Sequence, residues 1–347
     1  MATIADVARR AGVSVSTVSY ALSGARPIKP ETRARVEASM RELGYQPNAM
    51  ARSLASRRSN VISLIYPADE RGVGATGGEF VHAAATRARE LGYQLVLWPF
   101  RADEVREVRN LVRQGMADGV LVMEVVLDDE RIDVLEAAKV PYAMIGRTRD
   151  VTRRHSVDVD FDATVNEAVD HLVDLGHRRI AFVNHSQASF EAGYGPTVRA
   201  AAAFERAMNE RGLRPLARTC EDSPLAGRQV TAELLAADPA LTALITMNEL
   251  ATFGVFAELQ YRHLGIPEDV SVLGIVTSPG VGTMSYPTLT TMHSPGAELG
   301  RLAVDRLLSQ LDPAHPATPN RLIPCVLEPG LSIGPAKAEM NASPQPR

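Results

Sequence analysis

Residues 14–24, SVSTVSYALSG, set small hydroxyls and one aromatic at helical spacing and contain no carboxylate. On a helix, Ser16, Thr17, Ser19 and Tyr20 would share the open side, with Arg26 just beyond it. Such a surface suits the edges of bases and the phosphates beside them, and a helix N-terminus favours phosphate. The bland reading is a generic helical hairpin. Other groupings point to chemistry more weakly. Gly72, Gly74 and Gly77 spell G-x-G-x-x-G. A dinucleotide site needs that motif directly after a strand, with an acid ending the second strand. Here Pro67 to Arg71 intervene, and the second apolar run ends in Trp98-Pro99-Phe100-Arg101. Asp158, Asp160 and Asp162 alternate with apolar residues and read as one strand face, without the glycine and distal glutamate of a calcium loop. His171 and His177 are six apart, which does not suit two metal ligands on one helical face. Neither H-E-x-x-H nor G-x-S-x-G occurs. No catalytic residue, metal or cofactor is expected.

Three short helices must carry the first group. In TIADVARRAG, Thr3 caps and Asp6 completes a capping-box variant, while Ile4, Val7, Ala8 and Ala11 form one apolar face. Gly12 stops that helix. Ser14 caps the next, in which Val15, Val18 and Leu22 are apolar and Gly24 is the stop. A third follows Pro30, with Val36, Met40 and Leu43 inward and Gly44 as terminator. Two short helices joined by a tight glycine turn read as a helix-turn-helix. Beyond it, NAMARSLAS (48–56) is a helix-length run too short to stand alone in water.

From Val61 onward, apolar strands alternate with helices. The strands are VISLIY, YQLVLW, DGVLVMEV, VPYAMIG, RIAFVN, TALITM and SVLGIV. The helices fall near 78–91, 103–114, 161–175, 196–211, 227–237, 249–263 and 295–310. Glycine stops recur in RELGY, VDLGH, NERGL and RHLGI. This is an α/β pattern of parallel, doubly wound sheets in two lobes. Ligands in such sheets bind beyond the carboxyl ends of the strands.

Charge divides the 347 residues in the same place. Residues 1–60 carry ten basic and four acidic side chains, a net of +6; the rest carry a net of −10. A basic head on an acidic body points to a polyanion for the head. The two cysteines, Cys220 and Cys325, make no disulfide framework. MATIADVARR has no apolar leader and no run of 18 apolar residues occurs, so no membrane partner and a cytoplasmic location are expected.

The stretch from TIADVARRAG to ELGYQPNAMARSL resembles the headpiece of the lactose/purine-repressor (LacI/GalR) family of bacterial transcription regulators, with that family's spacing throughout. LGHRRIAFV, LGIPEDVSVLGI and YPTLTTMHSPGAELGRLAVDRLL extend the likeness to its periplasmic-binding-protein-like body, whose chain crosses three times between lobes. The resemblance implies a ligand-responsive repressor that binds palindromic double-stranded operator DNA as a homodimer. It implies a headpiece at 1–46, a hinge helix and linker at 47–59, an effector and dimerisation body at 60–335 and a flexible tail at 336–347. The DNA-binding residues it implies are Thr3, Val15, Ser16, Thr17, Tyr20, Arg26, Asn48, Arg52, Leu54 and Ala55. Leu54 would be the wedge in the central base step. Ala49, Ala51 and Ala55 would keep the paired hinge helices thin, and Arg52, Arg57 and Arg58 would lie near phosphates or the groove.

For a small-molecule effector in the cleft it implies Arg147, Asp160, Arg199, Asn248, Glu249 and the position of Val276. The family usually has Asn-Asp where Asn248-Glu249 stands and an acid where Val276 stands. The Gly77 region also lacks the family's aromatic pair. These departures put a sugar effector in doubt; Thr277 or Glu249 would otherwise have to supply the missing acceptor. The bland reading of Arg147 and Arg199 is surface ion pairing, and of Trp98, edge packing. A transport receptor of the same body fold and a dinucleotide-dependent oxidoreductase are the competing functions.

Overall fold

The computed structural model describes residues 2–23, 26–45, 58–67, 73–100, 107, 108, 110, 114, 116–150, 154–312 and 314–337. Asn48, Arg52, Leu54, Ala55 and the rest of the hinge segment to Arg57, together with Gly24, Gly72 and most of the expected helix at 103–114, lie outside these.

The headpiece consists of α1 (Ile4–Ala11), α2 (Val15–Ser23) and α3 (Pro30–Leu43). Val7, Ala8, Ala11, Val18 and Val36 form its small core, as the apolar spacing predicts, joined by Ala21, while Val15 of the same apolar set is exposed. Gly12 and Gly44 end α1 and α3 at φ of +64° and +60°, a region where a side chain is strained.

The body begins with β1 (Val61–Pro67), α4 (Gly74–Glu90), β2 (Gln94–Phe100), β3 (Gly119–Val122), α5 (Glu130–Ala137), β4 (Tyr142–Ile145) and β5 (Ser156–Val159). It continues with α6 (Phe161–Asp174), β6 (Ile180–Asn184), α7 (Gln187–Glu191), α8 (Gly195–Glu210), β7 (Leu216–Thr219), α9 (Pro224–Ala237), β8 (Ala243–Thr246) and α10 (Glu249–Tyr261). It closes with β9 (Ser271–Thr277), α11 (Pro279–Gly282), β10 (Thr290–His293), α12 (Gly296–Leu311), β11 (Arg321–Ile323) and β12 (Val326–Glu328).

One six-stranded sheet runs β11-β5-β4-β3-β1-β2 and the other β12-β10-β9-β8-β6-β7. Every pairing is parallel except β10 with β12. β3, β4, β6 and β8 are buried along their whole lengths, which is why their sequences are continuous apolar runs. The chain passes between the sheets after β5, after β10 and between β11 and β12, the three crossings expected.

Three expectations are corrected. Asp158, Asp160 and Asp162 do not share a strand face: Asp158 lies on β5, Asp160 caps α6 and Asp162 sits in its first turn. Helix α4 begins at Gly74 rather than near 78, absorbing Gly77 into its first turn. The tail does not begin at 336, because Ala336 N–H donates to Leu175 O (2.8 Å) and Lys337 pairs with Asp269 (2.5 Å).

α9 and α10 approach through two glycines. A methyl on Gly254 would lie 2.0 Å from Pro224 O, and one on Gly227 would lie 2.0 Å from Ala251 O. Gly254→Ala is therefore expected to cost about 3 kcal/mol, the upper end of ordinary overpacking, because backbone rather than a side chain must retreat. Urea unfolding followed by circular dichroism measures this; a loss below about 1 kcal/mol would mean the two helices part freely.

Candidate functional site

The N-terminus of α2 is tied down by its own loop. Ser14 Oγ accepts the Thr17 N–H (3.1 Å), and the two hydroxyls lie 2.8 Å apart. Thr17 is thus half-buried and engaged in the cap, whereas Ser16 is exposed and Val15 is 46% exposed. Val18 takes the inward place. One turn on, the Arg26 guanidinium lies 5.3 Å from the centre of the Tyr20 ring. The outcome is an uncharged helix start presenting methyls and a hydroxyl, flanked by a stacked aromatic and cation. Thr3 closes the expected capping box on α1: its N–H and hydroxyl donate to Asp6 Oδ2 (3.0 and 2.7 Å). Those bonds hold the Asp6 carboxyl below its ordinary range. Arg58, in the linker and expected near phosphates, instead donates to Leu311 O of the body (2.9 Å).

The second site lies where the carboxyl ends of the two sheets meet. Backbone clasps the lobes there: Gly195 N–H donates to Val125 O (3.1 Å) and Leu127 N–H to Gly193 O (2.8 Å). Arg147 follows β4, Asp158 is on β5 and Arg199 is on α8 of the other lobe. Arg147 Nε donates to Asp158 Oδ2 (3.2 Å), and Arg199 Nη1 lies 3.7 Å from the same oxygen. Arg199 Nη2 donates to the carbonyls of Arg147 (2.7 Å) and Thr148 (3.2 Å). The three side chains are 18%, 15% and 5% exposed, so surface ion pairing is not what these arginines do. Burial pushes the Asp158 carboxyl up to about 6, against the pull of Arg199 and Arg147. Burial likewise lowers Arg199.

Of the other expected cleft residues, two spend their side chains on helix starts. Asp160 Oδ1 accepts the Ala163 N–H (3.0 Å). Asn248 Oδ1 accepts the Ala251 N–H (3.0 Å), while its Nδ2 donates to Cys220 O (3.1 Å). Glu249 spans the lobes: its Oε1 accepts the Thr76 hydroxyl of α4 (2.8 Å) and the Ser278 N–H (2.9 Å). Thr76 also reaches Val276 O (3.3 Å). Val276 is the bulged residue between β9 and β10, with φ of +53°. That conformation is costly for a β-branched side chain. Thr277, the other candidate acceptor, is buried and donates to Ile275 O (3.2 Å). Glu79, also on α4, has its carboxyl raised by burial and by Glu249, with His293 opposing.

Sequence reasoning missed Asp158 as the partner of both arginines, and Thr76 altogether. Trp98 packs at the sheet edge, as expected. Among the described residues no cluster of three or more His, Cys, Asp or Glu is placed to hold a metal, and no helix is long and apolar enough to cross a membrane.

A helix-turn-helix head joined to two doubly wound lobes with a polar cleft defines a ligand-sensing DNA-binding protein. Residues 3–48 match the model of the bacterial regulatory proteins of the lacI family, and residues 169–333 that of a periplasmic binding protein-like domain. AscG, an HTH-type transcriptional regulator of Escherichia coli K12, is 30% identical over 319 residues, covering 90% of this chain and 93% of that protein. The ribose operon repressor of the same organism is 30% identical over 349 residues, covering 95% and 99%. A lac repressor dimer bound to operator and the anti-inducer ONPF superposes with a TM-score of 0.80 at 28% identity, covering 95% of this chain and 98% of that one. The chain belongs to the LacI family of bacterial transcriptional regulators.

Proposed function

We propose that this regulator binds a palindromic operator as a homodimer in the cytoplasm, represses transcription there, and responds to a small molecule held between its lobes. It acts by binding and release and performs no chemistry on its ligand. The observation that carries the reading is the carboxylate-free start of α2, with Val15 and Ser16 exposed while Val18 is buried. Val15 offers methyls to a thymine methyl, Ser16 and Tyr20 offer hydroxyls to base edges, and Arg26 and Thr3 lie toward the backbone. Asn48, Arg52 and Ala55 accompany Leu54 in the minor groove.

The cleft residues that touch effector are Arg147, Arg199 and Glu249, with the Val276 position between them and Asp160 and Asn248 holding the helix starts beside it. Glu249–Thr76 and Arg199–Arg147 both cross from lobe to lobe. A solute that replaces either bond changes how the lobes meet, which gives it different affinities for two arrangements and hence leverage on the headpieces.

Leu54→Ala tests the DNA reading. It is expected to weaken binding to a selected palindromic operator by about tenfold or more, as loss of a kinking wedge does, and to leave binding to random duplex nearly as before. Equal loss on both duplexes, read by fluorescence anisotropy, would remove the wedge role.

A further inference from the structure

The two ends of the cleft carry opposite charge. At one, Arg147 and Arg199 share the single carboxylate of Asp158, a net of one positive charge. Arg147 uses only its Nε among the described residues, which leaves both of its Nη groups to turn to a ligand. Arg199 Nη1 is buried with no hydrogen-bond acceptor, as is the hydroxyl of Thr197 on the same helix. At the other end stand Glu79 and Glu249. Glu79 makes no hydrogen bond among the described residues, and Glu249 uses only Oε1. Beside them His293 Nδ1 and Ser294 Oγ are buried without partners. Three of the six such atoms among the described residues, those of Arg199, His293 and Ser294, therefore lie at these two ends, and buried polar groups concentrated this way ask for a common partner.

Strand order sets the spacing. β4, which precedes Arg147, is separated by β3 from β1, which precedes Glu79, while in the other lobe β6, which precedes Arg199, lies next to β8, which precedes Glu249. Two strand spacings are about 10 Å. A neutral polyol would leave net charge at both half-buried ends uncompensated. We propose, resting on the effector-cleft reading above, that the ligand is a linear zwitterion whose carboxylate meets Arg147 and Arg199 and whose ammonium, several carbons away, meets Glu79 and Glu249.

The test is calorimetric titration of the full-length protein with ε-aminocaproate, caproate, hexylamine and ribose. ε-Aminocaproate is expected to bind at least about tenfold tighter than either singly charged analogue. Its preference over caproate should collapse in Glu79→Gln, and its preference over hexylamine in Arg147→Gln. Ribose binding without ε-aminocaproate binding would overturn the zwitterion while leaving the cleft reading intact. Failure of every linear zwitterion from γ-aminobutyrate upward would also overturn it. Operator affinity of the same preparation, measured separately, then shows whether the regulator reading falls with it.

Discussion

Raising salt from about 50 to about 200 mM is expected to weaken operator binding by three to five powers of ten, the loss typical of about six to ten neutralised phosphates. Residues 1–60 carry the net positive charge while the remainder is acidic, so attraction resides in the head and the body opposes it. Two heads on one duplex supply the required number of cations. Arg26 is exposed, stacks on Tyr20 and is placed to meet the backbone. Arg26→Ala should then reduce the salt slope by about one for each head, roughly two for the dimer. Anisotropy across a salt series reads both quantities. A nearly flat dependence would sink the operator reading, and an unchanged slope in the variant would confine Arg26 to holding Tyr20.

Asp158→Ala is expected to destabilise the body by about 3–5 kcal/mol, since it leaves two largely buried guanidiniums without their shared counter-charge. Asp158→Asn keeps the shape and some hydrogen bonding, so its loss should be smaller. The same residue has an unusual pH signature. Its folded pKa, about 6, lies above the roughly 3.9 of an unfolded aspartate. The folded state therefore binds more protons between about pH 4 and 6. Its contribution falls as pH rises through that window and is level above it. Asp6, Asp128, Glu258 and Asp269 are shifted the other way and mask this in the raw melting curve. The difference between wild type and Asp158→Asn isolates it. A difference that grows with pH through the window would mean the arginines outweigh burial.

The headpiece was legible because its determinants are local: Thr3 with Asp6, Ser14 with Thr17, and apolar residues one turn apart. The buried parallel strands were legible because they are apolar throughout. β5, SVDV, was read only through its alternating aspartates, and the strand face was drawn past its end, because the helix cap at Asp160 and the pairing of Asp158 with the other lobe leave no mark on that alternation. β10, TTMH, looks polar because its threonines are buried among neighbouring strands. α5 did leave a signal: Asp129 before a first turn with Glu130 and Asp133.

In the cleft, Arg147 and Arg199 stood out by residue type, but Asp158 reaches Arg199 across 41 residues and Thr76 reaches Glu249 across 173. Asp160 and Asn248 show a different limit. A polar residue before a helix can cap it or bind a ligand with the same atoms, and sequence does not separate the two uses.

The bulge at Val276 bears on how the lineage can change its ligand. One second-base change turns any valine codon into an acidic one. The left-handed backbone there is a conformation that aspartate tolerates better than valine. An aspartate at 276 is therefore one base change away, and it would add a carboxylate beside Thr76 and Glu249 while relieving strain.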